Sequence, residues 1–213
     1  MRCASTGARS GNGSRAGAER LLAAGRNLYL AGFMATGKSA TARAIARALG
    51  VPWVDLDREI EREAGMSVAE IFATRGERAF RAAEHRALRA VAGAGGRVVA
   101  LGGGSVCSAR NRELLRGTGP VVLLTAPPEV ILRRVGRSRS RPLLQGPAAP
   151  VRLQALLARR SRDYRRYRLR VDTAELTPGA AAEAVLHTVA AAGRRAETAR
   201  ARDMAGRRGG TCR

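Results

Sequence analysis

Short apolar runs alternate with longer stretches of helical period through the middle of the chain. The first run, NLYLA over residues 27–31, ends at a glycine, and apolar side chains then recur at helical spacing from Gly37 to Gly50. Strands that alternate with helices need crossover connections, which give a parallel sheet covered by helices on both faces. The pattern therefore predicts an α/β fold. Further strands are predicted at VPWVDL (51–56), RVVAL (97–101), PVVLLT (120–125) and LRVD (169–172).

Helices are predicted between these strands. Residues 57–64 place acidic side chains in a first helical turn, where the helix dipole favours them. Ser67 followed by Glu70 has the capping-box spacing, and the helix that it begins can run on through Val91. Residues 136–150 are rich in glycine, proline and arginine, which predicts a mobile loop. Three more helices are predicted at about 127–135, 151–167 and 178–192.

The composition fits one domain with basic ends. The chain has 213 residues, 45% of them hydrophobic, and a formal charge of +22, a charge that would favour an anionic partner. Nine of those net charges lie in residues 1–26 and 194–213, where no apolar period is sustained, so we predict two disordered tails. Without a run that could cross a membrane, we expect a cytoplasmic monomer with no membrane partner and no specific nucleic acid.

Lysine occurs once in this chain, among 38 arginines. It lies in Gly32-Phe-Met-Ala-Thr-Gly37-Lys38-Ser39, which fits the phosphate-loop pattern and stands between a predicted strand and a predicted helix. Such a loop turns backbone N–H groups toward phosphates, Lys38 neutralises the β- and γ-phosphates, and Ser39 ligates Mg²⁺. We predict binding of ATP and Mg²⁺. A turn kept for packing alone is the alternative, and a hydrolase, a switch and a kinase all stay open.

Two other groups of residues follow predicted strands. Asp55 and Asp57 end the second strand at a spacing of two, so both would face the ligand crevice at the carboxyl edge of the sheet. One could hold Mg²⁺ through water and the other could accept a hydroxyl proton. Asp57 could instead cap the next helix. Gly102, Gly103 and Gly104 free backbone N–H groups for a ligand, although a flexible turn explains them equally well.

The chain resembles the shikimate kinase family in motifs that run in consistent order over about residues 27–190. The resemblance implies a three-layer α/β/α fold with a five-stranded parallel sheet, similar to the nucleoside monophosphate kinases. It also implies a kinase domain over residues 27–193, with a mobile lid at about 136–150. Besides the phosphate loop, the motifs are Asp55-Leu-Asp57 with REIE, GMSVAEIF (65–72), GERAFRAAE (76–84), LGGGS (101–105), RPLL (141–144), Arg160 with Tyr164, and VDT (171–173).

The resemblance implies an acceptor site for shikimate. Asp57 would bond the ring hydroxyls and act as the catalytic base. Arg81 and Arg160 would hold the carboxylate, for which a planar guanidinium is a natural bidentate partner, and Glu84 would orient Arg81. Gly102, Gly103 and Gly104 would add backbone contacts to the same substrate.

The resemblance also implies the nucleotide side of the reaction. Asp55 would orient Mg²⁺ together with Ser39, and Arg134 would lie on the adenine side. Arg141, in the lid, would join Lys38 and Asp57 as a catalytic residue by closing over the γ-phosphoryl group. ATP would then phosphorylate the 3-hydroxyl of shikimate, a step toward chorismate and the aromatic amino acids. The implied nucleotide-binding positions are Gly32, Ala35, Thr36, Gly37, Lys38, Ser39, Ala40, Arg134 and Arg141.

Two positions of the loop depart from the family pattern. Ala35 stands where glycine is usual, and Ala40 where threonine is usual; we expect the methyl group at Ala35 to be tolerated if its φ is negative. Two other functions stay open. One is a different small-molecule kinase of this fold, such as a gluconate kinase. The other is a basic nucleic-acid-binding protein, which the 3% aromatic content disfavours.

Overall fold

A single parallel sheet forms the middle layer of the fold. The computed structural model describes residues 10–136 and 148–208. Its five strands are ordered β2-β3-β1-β4-β5, and every neighbouring pair is parallel. The predicted α/β class and five-stranded parallel sheet are confirmed. The strands are β1 (Leu28–Gly32), β2 (Trp53–Asp55), β3 (Val98–Ala100), β4 (Val121–Thr125) and β5 (Arg170–Asp172).

Helices connect and cover the strands. Ser67 accepts the N–H of Glu70, whose side chain bonds back to the Ser67 N–H, so the predicted capping box is present. Gly76 has φ 76 and kinks the helix that follows. In the described ranges the α-helices are α1 (Ser10–Ala23), α2 (Lys38–Leu49), α3 (Leu56–Ala64), α4 (Val68–Ala94), α5 (Ala109–Thr118), α6 (Pro128–Gly136), α7 (Ala149–Tyr164) and α8 (Pro178–Arg208), with a 3₁₀ turn at Ser105–Cys107.

The central strand β1 is buried along its whole length and divides the core into two halves. Leu28 and Leu30 face the layer formed by α1, α2 and α8. Tyr29 and Ala31 face the opposite layer, which includes Ile60 of α3 and buried side chains of α4 to α7. Alternation along a strand sends neighbouring side chains to opposite faces. The three-layer arrangement follows from this alternation.

The N-terminal segment differs from the disordered tail predicted for residues 1–26. Residues 10–23 form α1, which packs on α8 and buries Ala18 and Leu22. A Cβ at Gly17 would lie 3.2 Å from the Cβ of Ala190, so glycine lets the two helices approach closely. The prediction was wrong for this segment because the contact is made largely by small side chains, which give a weak apolar period. Residues 1–9 lie outside the described residues.

The C-terminal segment is also helical where disorder was predicted for residues 194–213. Helix α8 continues to Arg208, and its side chains from 194 to 199 are exposed. Val185 and Leu186 anchor its first half in the core, and alanine and arginine are strong helix formers that let it continue into solvent. In the described part of the chain, no helix has the length and apolarity needed to cross a bilayer.

We predict that Leu22→Ala lowers the free energy of unfolding by about 2–4 kcal/mol, because the side chain is 4% exposed and its loss leaves a cavity. Urea denaturation measures this change. Val151→Ala is the control, since Val151 is 69% exposed and its truncation should change stability by less than about 0.5 kcal/mol. Equal effects of the two substitutions would contradict the packing of α1.

Candidate active site

The phosphate loop, residues 32–39, joins β1 to α2 at the carboxyl edge of the sheet. Gly32 has φ 142, and a Cβ there would clash with the carbonyl oxygen of Leu124. Gly37 has φ 88 and is the N-cap residue immediately before α2. The buried Thr36 hydroxyl donates to the Phe33 carbonyl at 2.8 Å and closes the turn. The positive end of α2 therefore meets the loop, which is a favourable place for phosphate.

The backbone at Ala35 does not have the negative φ under which its methyl group was expected to be tolerated. Its φ is +61, in the left-handed region, where an L-residue other than glycine costs about 1–2 kcal/mol. Arg134 donates to the Ala35 carbonyl at 3.3 Å, and also to the carbonyls of Thr173 at 2.5 Å and Ala174 at 3.0 Å. Arg134 thus fastens the strained loop to the segment after β5. The adenine contact of Arg134 stays a prediction.

Lys38 and Ser39 have partners within the site. The Lys38 ammonium donates to the carbonyls of Gly32 at 3.0 Å and Phe33 at 2.9 Å. The Ser39 hydroxyl donates to Asp55 Oδ2 at 2.5 Å. Mg²⁺ binds hard oxygen ligands and commonly takes one or two from the protein, with water and phosphate completing its shell. The hydroxyl and carboxylate of Ser39 and Asp55 fit that requirement.

Asp55 and Asp57 have separate roles in the local structure. Asp55 Oδ1 accepts the N–H of Asp57 at 3.2 Å, so Asp55 is the residue that caps α3. The alternative that Asp57 serves as this cap is wrong. The Asp57 side chain is instead directed toward the turn that follows β3. Ala40, the other departure in the loop region, occupies a half-buried position in the first turn of α2.

Residues 102–104, here called the glycine tract, lie beside the side chains that were predicted to bind the phosphoryl acceptor, Asp57, Arg81 and Arg160. A methyl group added to Gly103 would lie 3.7 Å from both the Gly32 carbonyl oxygen and the Met34 backbone nitrogen, so the tract adjoins the phosphate loop. The absence of Cβ atoms also lets charged side chains approach the backbone so closely that an added methyl group would require them to shift. Methyl groups added along the tract would meet four charged side chains: Asp57 Oδ1 at 2.6 Å and Glu84 Oε1 at 3.1 Å from position 102, Arg160 Nη1 at 3.0 Å from position 103, and Arg81 Nη1 at 2.8 Å from position 104.

Arg81 is held by two carboxylates. Its Nη1 donates to Glu84 at 2.9 Å, and its Nε and Nη2 donate to Glu77 at 3.3 and 3.1 Å. Glu84 is 1% exposed and also accepts the hydroxyl of the buried Ser105 at 2.6 Å. Burial by itself lowers the pKa of Arg81, but the charges and hydrogen bonds of Glu84 and Glu77 outweigh it and raise that pKa. Arg81 is therefore a fixed cation.

Arg160 lies between an aromatic ring and the glycine tract. Its guanidinium carbon is 5.1 Å from the centre of the Phe33 ring, a cation–π distance. Tyr164, one turn later on α7, donates its hydroxyl to the Gly103 carbonyl at 2.7 Å. Burial raises the pKa of Tyr164 to about 12, so the hydroxyl remains a donor at neutral pH. These contacts tie α7 to both the glycine tract and the phosphate loop.

Several residues of the site had no role predicted from the sequence. Tyr164 and Ser105 belong to the family motifs, but nothing in the motifs themselves says what they contact. The spacing of four between Arg160 and Tyr164 on one helix was the available signal, since such residues share a helix face. Phe33 had no signal of its own. Arg141 and the rest of the predicted lid from 137 to 147 lie outside the described residues, so their roles stay predictions.

Comparison with known proteins identifies the family. A family profile described as shikimate kinase matches residues 34–190. The chain belongs to the shikimate kinase family. A shikimate kinase of Geobacter sulfurreducens is 48% identical over 150 residues, covering 70% of this chain and 83% of that protein. One of Mycobacterium avium is 43% identical over 152 residues, covering 71% and 86% respectively.

Solved structures agree with this family. A shikimate kinase from Acinetobacter baumannii, in complex with shikimate, matches with a TM-score of 0.69 at 36% identity, covering 78% of this chain and 92% of that one. A gluconokinase from Sinorhizobium meliloti matches with a TM-score of 0.52 at 18% identity, covering 82% and 97%. The second likeness shows a common fold alone. The family assignment therefore depends on the relatives of higher identity, such as the Acinetobacter baumannii enzyme.

We predict that Gly102→Ala lowers kcat/KM for the acceptor by about tenfold or more, because the added methyl group would displace Asp57 from the tract. Steady-state kinetics at saturating nucleotide measures this loss. Gly117→Ala on α5 is the control, because a Cβ there has no atom within 4 Å. Unchanged kinetics in Gly102→Ala would show that the tract does not require bare backbone at this position.

Proposed function

We propose that this chain transfers the γ-phosphoryl group of ATP to the 3-hydroxyl of shikimate, giving shikimate 3-phosphate and ADP. The observation that carries the proposal is the glycine tract, against which Asp57, Arg81 and Arg160 all pack beside the phosphate loop. Membership of the shikimate kinase family supports the same reaction. Its product would feed the formation of chorismate and the aromatic amino acids.

The charged groups of the acceptor site fit a carboxylated polyol. Two guanidinium groups, from Arg81 and Arg160, approach neighbouring residues of the glycine tract, and guanidinium binds carboxylate with paired, charge-assisted hydrogen bonds. Asp57 adds a carboxylate that can accept hydrogen bonds from ring hydroxyls. Shikimate carries one carboxylate and three hydroxyls on a small ring, so it matches both kinds of partner.

The phosphate loop supplies the donor side. Lys38 would exchange the carbonyls of Gly32 and Phe33 for the β- and γ-phosphates of ATP. Ser39 and Asp55 would hold Mg²⁺ directly or through water. The metal would supply neutralisation of phosphate charge when bound. Arg141 is proposed as a further cation for the transferring group.

Proton and phosphoryl transfer can then be assigned to named groups. Asp57 accepts the proton of the 3-hydroxyl while that oxygen forms its bond to the γ-phosphorus. The bond between the γ-phosphorus and the bridging oxygen breaks, and ADP leaves with that oxygen. Lys38 stabilises the charge that develops on the phosphates. Binding and orientation by Arg81, Arg160 and the glycine tract supply the alignment that the reaction requires.

We predict that the purified chain with MgATP releases ADP only when shikimate is present. Arg160→Ala should raise the shikimate KM about tenfold or more with a smaller change in kcat, because a charge-assisted contact made in both ground and transition states is lost. A coupled ADP assay measures both quantities.

Arg162→Ala is the matched control for this substitution, because Arg162 is an exposed arginine on the same helix and should leave KM unchanged. Equal turnover of gluconate would contradict the proposed acceptor. An unaltered shikimate KM in Arg160→Ala would contradict the role of Arg160.

A further inference from the structure

One edge of the Arg81 guanidinium is suited to bind a carboxylate, and the carboxylate of Glu77 occupies that edge. Its Nε and Nη2 form the planar edge that donates two parallel hydrogen bonds to carboxylates. A single oxygen of Glu77, Oε1, accepts from both nitrogens at 3.3 and 3.1 Å. The remaining nitrogen, Nη1, is taken by Glu84 at 2.9 Å. Glu77 therefore stands on the edge that an acceptor carboxylate would need.

The two carboxylates on Arg81 differ in how firmly they are held. The Glu84 side chain is 1% exposed and is fixed by the buried Ser105 hydroxyl at 2.6 Å. The Glu77 side chain is 64% exposed. Exposed ion pairs contribute only up to about fivefold to an equilibrium. Glu84 is thus a permanent partner of Arg81, whereas Glu77 can be released at small cost.

The backbone beside Glu77 favours such a release. Gly76 has φ 76 and interrupts α4 immediately before Glu77, so Glu77 starts the second helical segment. A Cβ at Gly76 would have no atom within 4 Å, which leaves open space on that side of the kink. The guanidinium of Arg81, in contrast, lies against Gly104 with Nη1 and Nη2 at 2.8 and 2.9 Å from a Cβ built there. The Arg81 side chain is therefore held in place, whereas the exposed Glu77 side chain can change its rotamer.

We propose that Glu77 is a positioning residue that covers the carboxylate-binding edge of Arg81 until the carboxylate of the acceptor displaces it. This inference rests on the proposed function, in which Arg81 binds that carboxylate. Glu77 balances the charge of the guanidinium before substrate arrives, whereas Glu84 holds the guanidinium in its binding orientation. The exchange replaces one bridging oxygen with a two-oxygen carboxylate, which matches the Nε–Nη2 edge better.

A purely supporting role for Glu77 gives the opposite result on substitution. If Glu77 only oriented Arg81, as Glu84 does, its loss would let the arginine side chain move and would raise the KM for the acceptor. If Glu77 competes with the acceptor for the same edge, its loss lowers KM. The sign of the change therefore separates the two roles, and a general disturbance of the fold would not produce a lower KM.

The experiment measures the shikimate KM at saturating MgATP for the unmodified chain and for Glu77→Gln and Glu77→Ala. We expect KM to fall about two- to fivefold in both variants, the range of an exposed ion pair, with kcat changed by less than about twofold. Glu183→Gln is the matched control, because it removes another exposed ion pair, to Arg15 at 2.6 Å. Its kinetics should equal those of the unmodified chain.

A double substitution tests whether the effect passes through Arg81. In an Arg81→Gln background, Glu77→Gln should leave KM unchanged, because the edge for which both carboxylates compete is gone. A KM that stays constant or rises on Glu77 substitution in an active enzyme would overturn the role of Glu77 and leave the proposed function standing. Absence of shikimate phosphorylation by the unmodified chain would overturn the proposed function itself, and this inference with it.

Discussion

Close approach of charged side chains to bare backbone is the constraint on which the site depends. Residues 102–104 carry no Cβ atoms, and a methyl group added there would require the side chains of Asp57, Arg81 and Arg160 to shift from their positions against the backbone. The topology places this tract correctly, because β1 pairs with β3 in parallel and their carboxyl ends are neighbours. The phosphate loop after β1 and the tract after β3 therefore share one crevice, so donor and acceptor meet there.

Charged groups of the site have partners within the protein. Lys38 donates to loop carbonyls, Ser39 to Asp55, and Arg81 to Glu77 and Glu84. Groups that keep a partner are not left desolvated and unpaired, which would be costly. Ligand binding then becomes an exchange of partners, and the side chains need only small movements. The buried Glu84 is the part of this network best suited to stay in place.

Sequence patterns predicted the scaffold better than they predicted the contacts. The apolar run of β1, the capping box at Ser67 and the phosphate-loop motif each reflect local rules, and the structure follows all three. Helix α1 escaped prediction because it packs through glycine and alanine, whose burial leaves little periodic signal. The left-handed φ of Ala35 was also missed, since residue identity alone favours a negative value.

Contacts between segments that are distant in the chain were the hardest to predict from the sequence. Tyr164 donates to the Gly103 carbonyl and the Phe33 ring lies against Arg160 because the fold brings α7 beside the glycine tract and the phosphate loop. Family motifs singled out Arg81 and Glu84 but not the occupation of Arg81 by Glu77. Such facts depend on side-chain placement within the folded chain, where many rotamers satisfy the same spacing.

Identification of the product shows whether this chain phosphorylates the 3-hydroxyl of shikimate. Phosphorus and proton NMR of the reaction of this chain with MgATP and shikimate would show which oxygen receives the phosphoryl group. We expect one new phosphomonoester signal coupled to the ring proton at C3, formed in equal amount with ADP. A phosphoryl group on another hydroxyl, or inorganic phosphate in place of the ester, would contradict it.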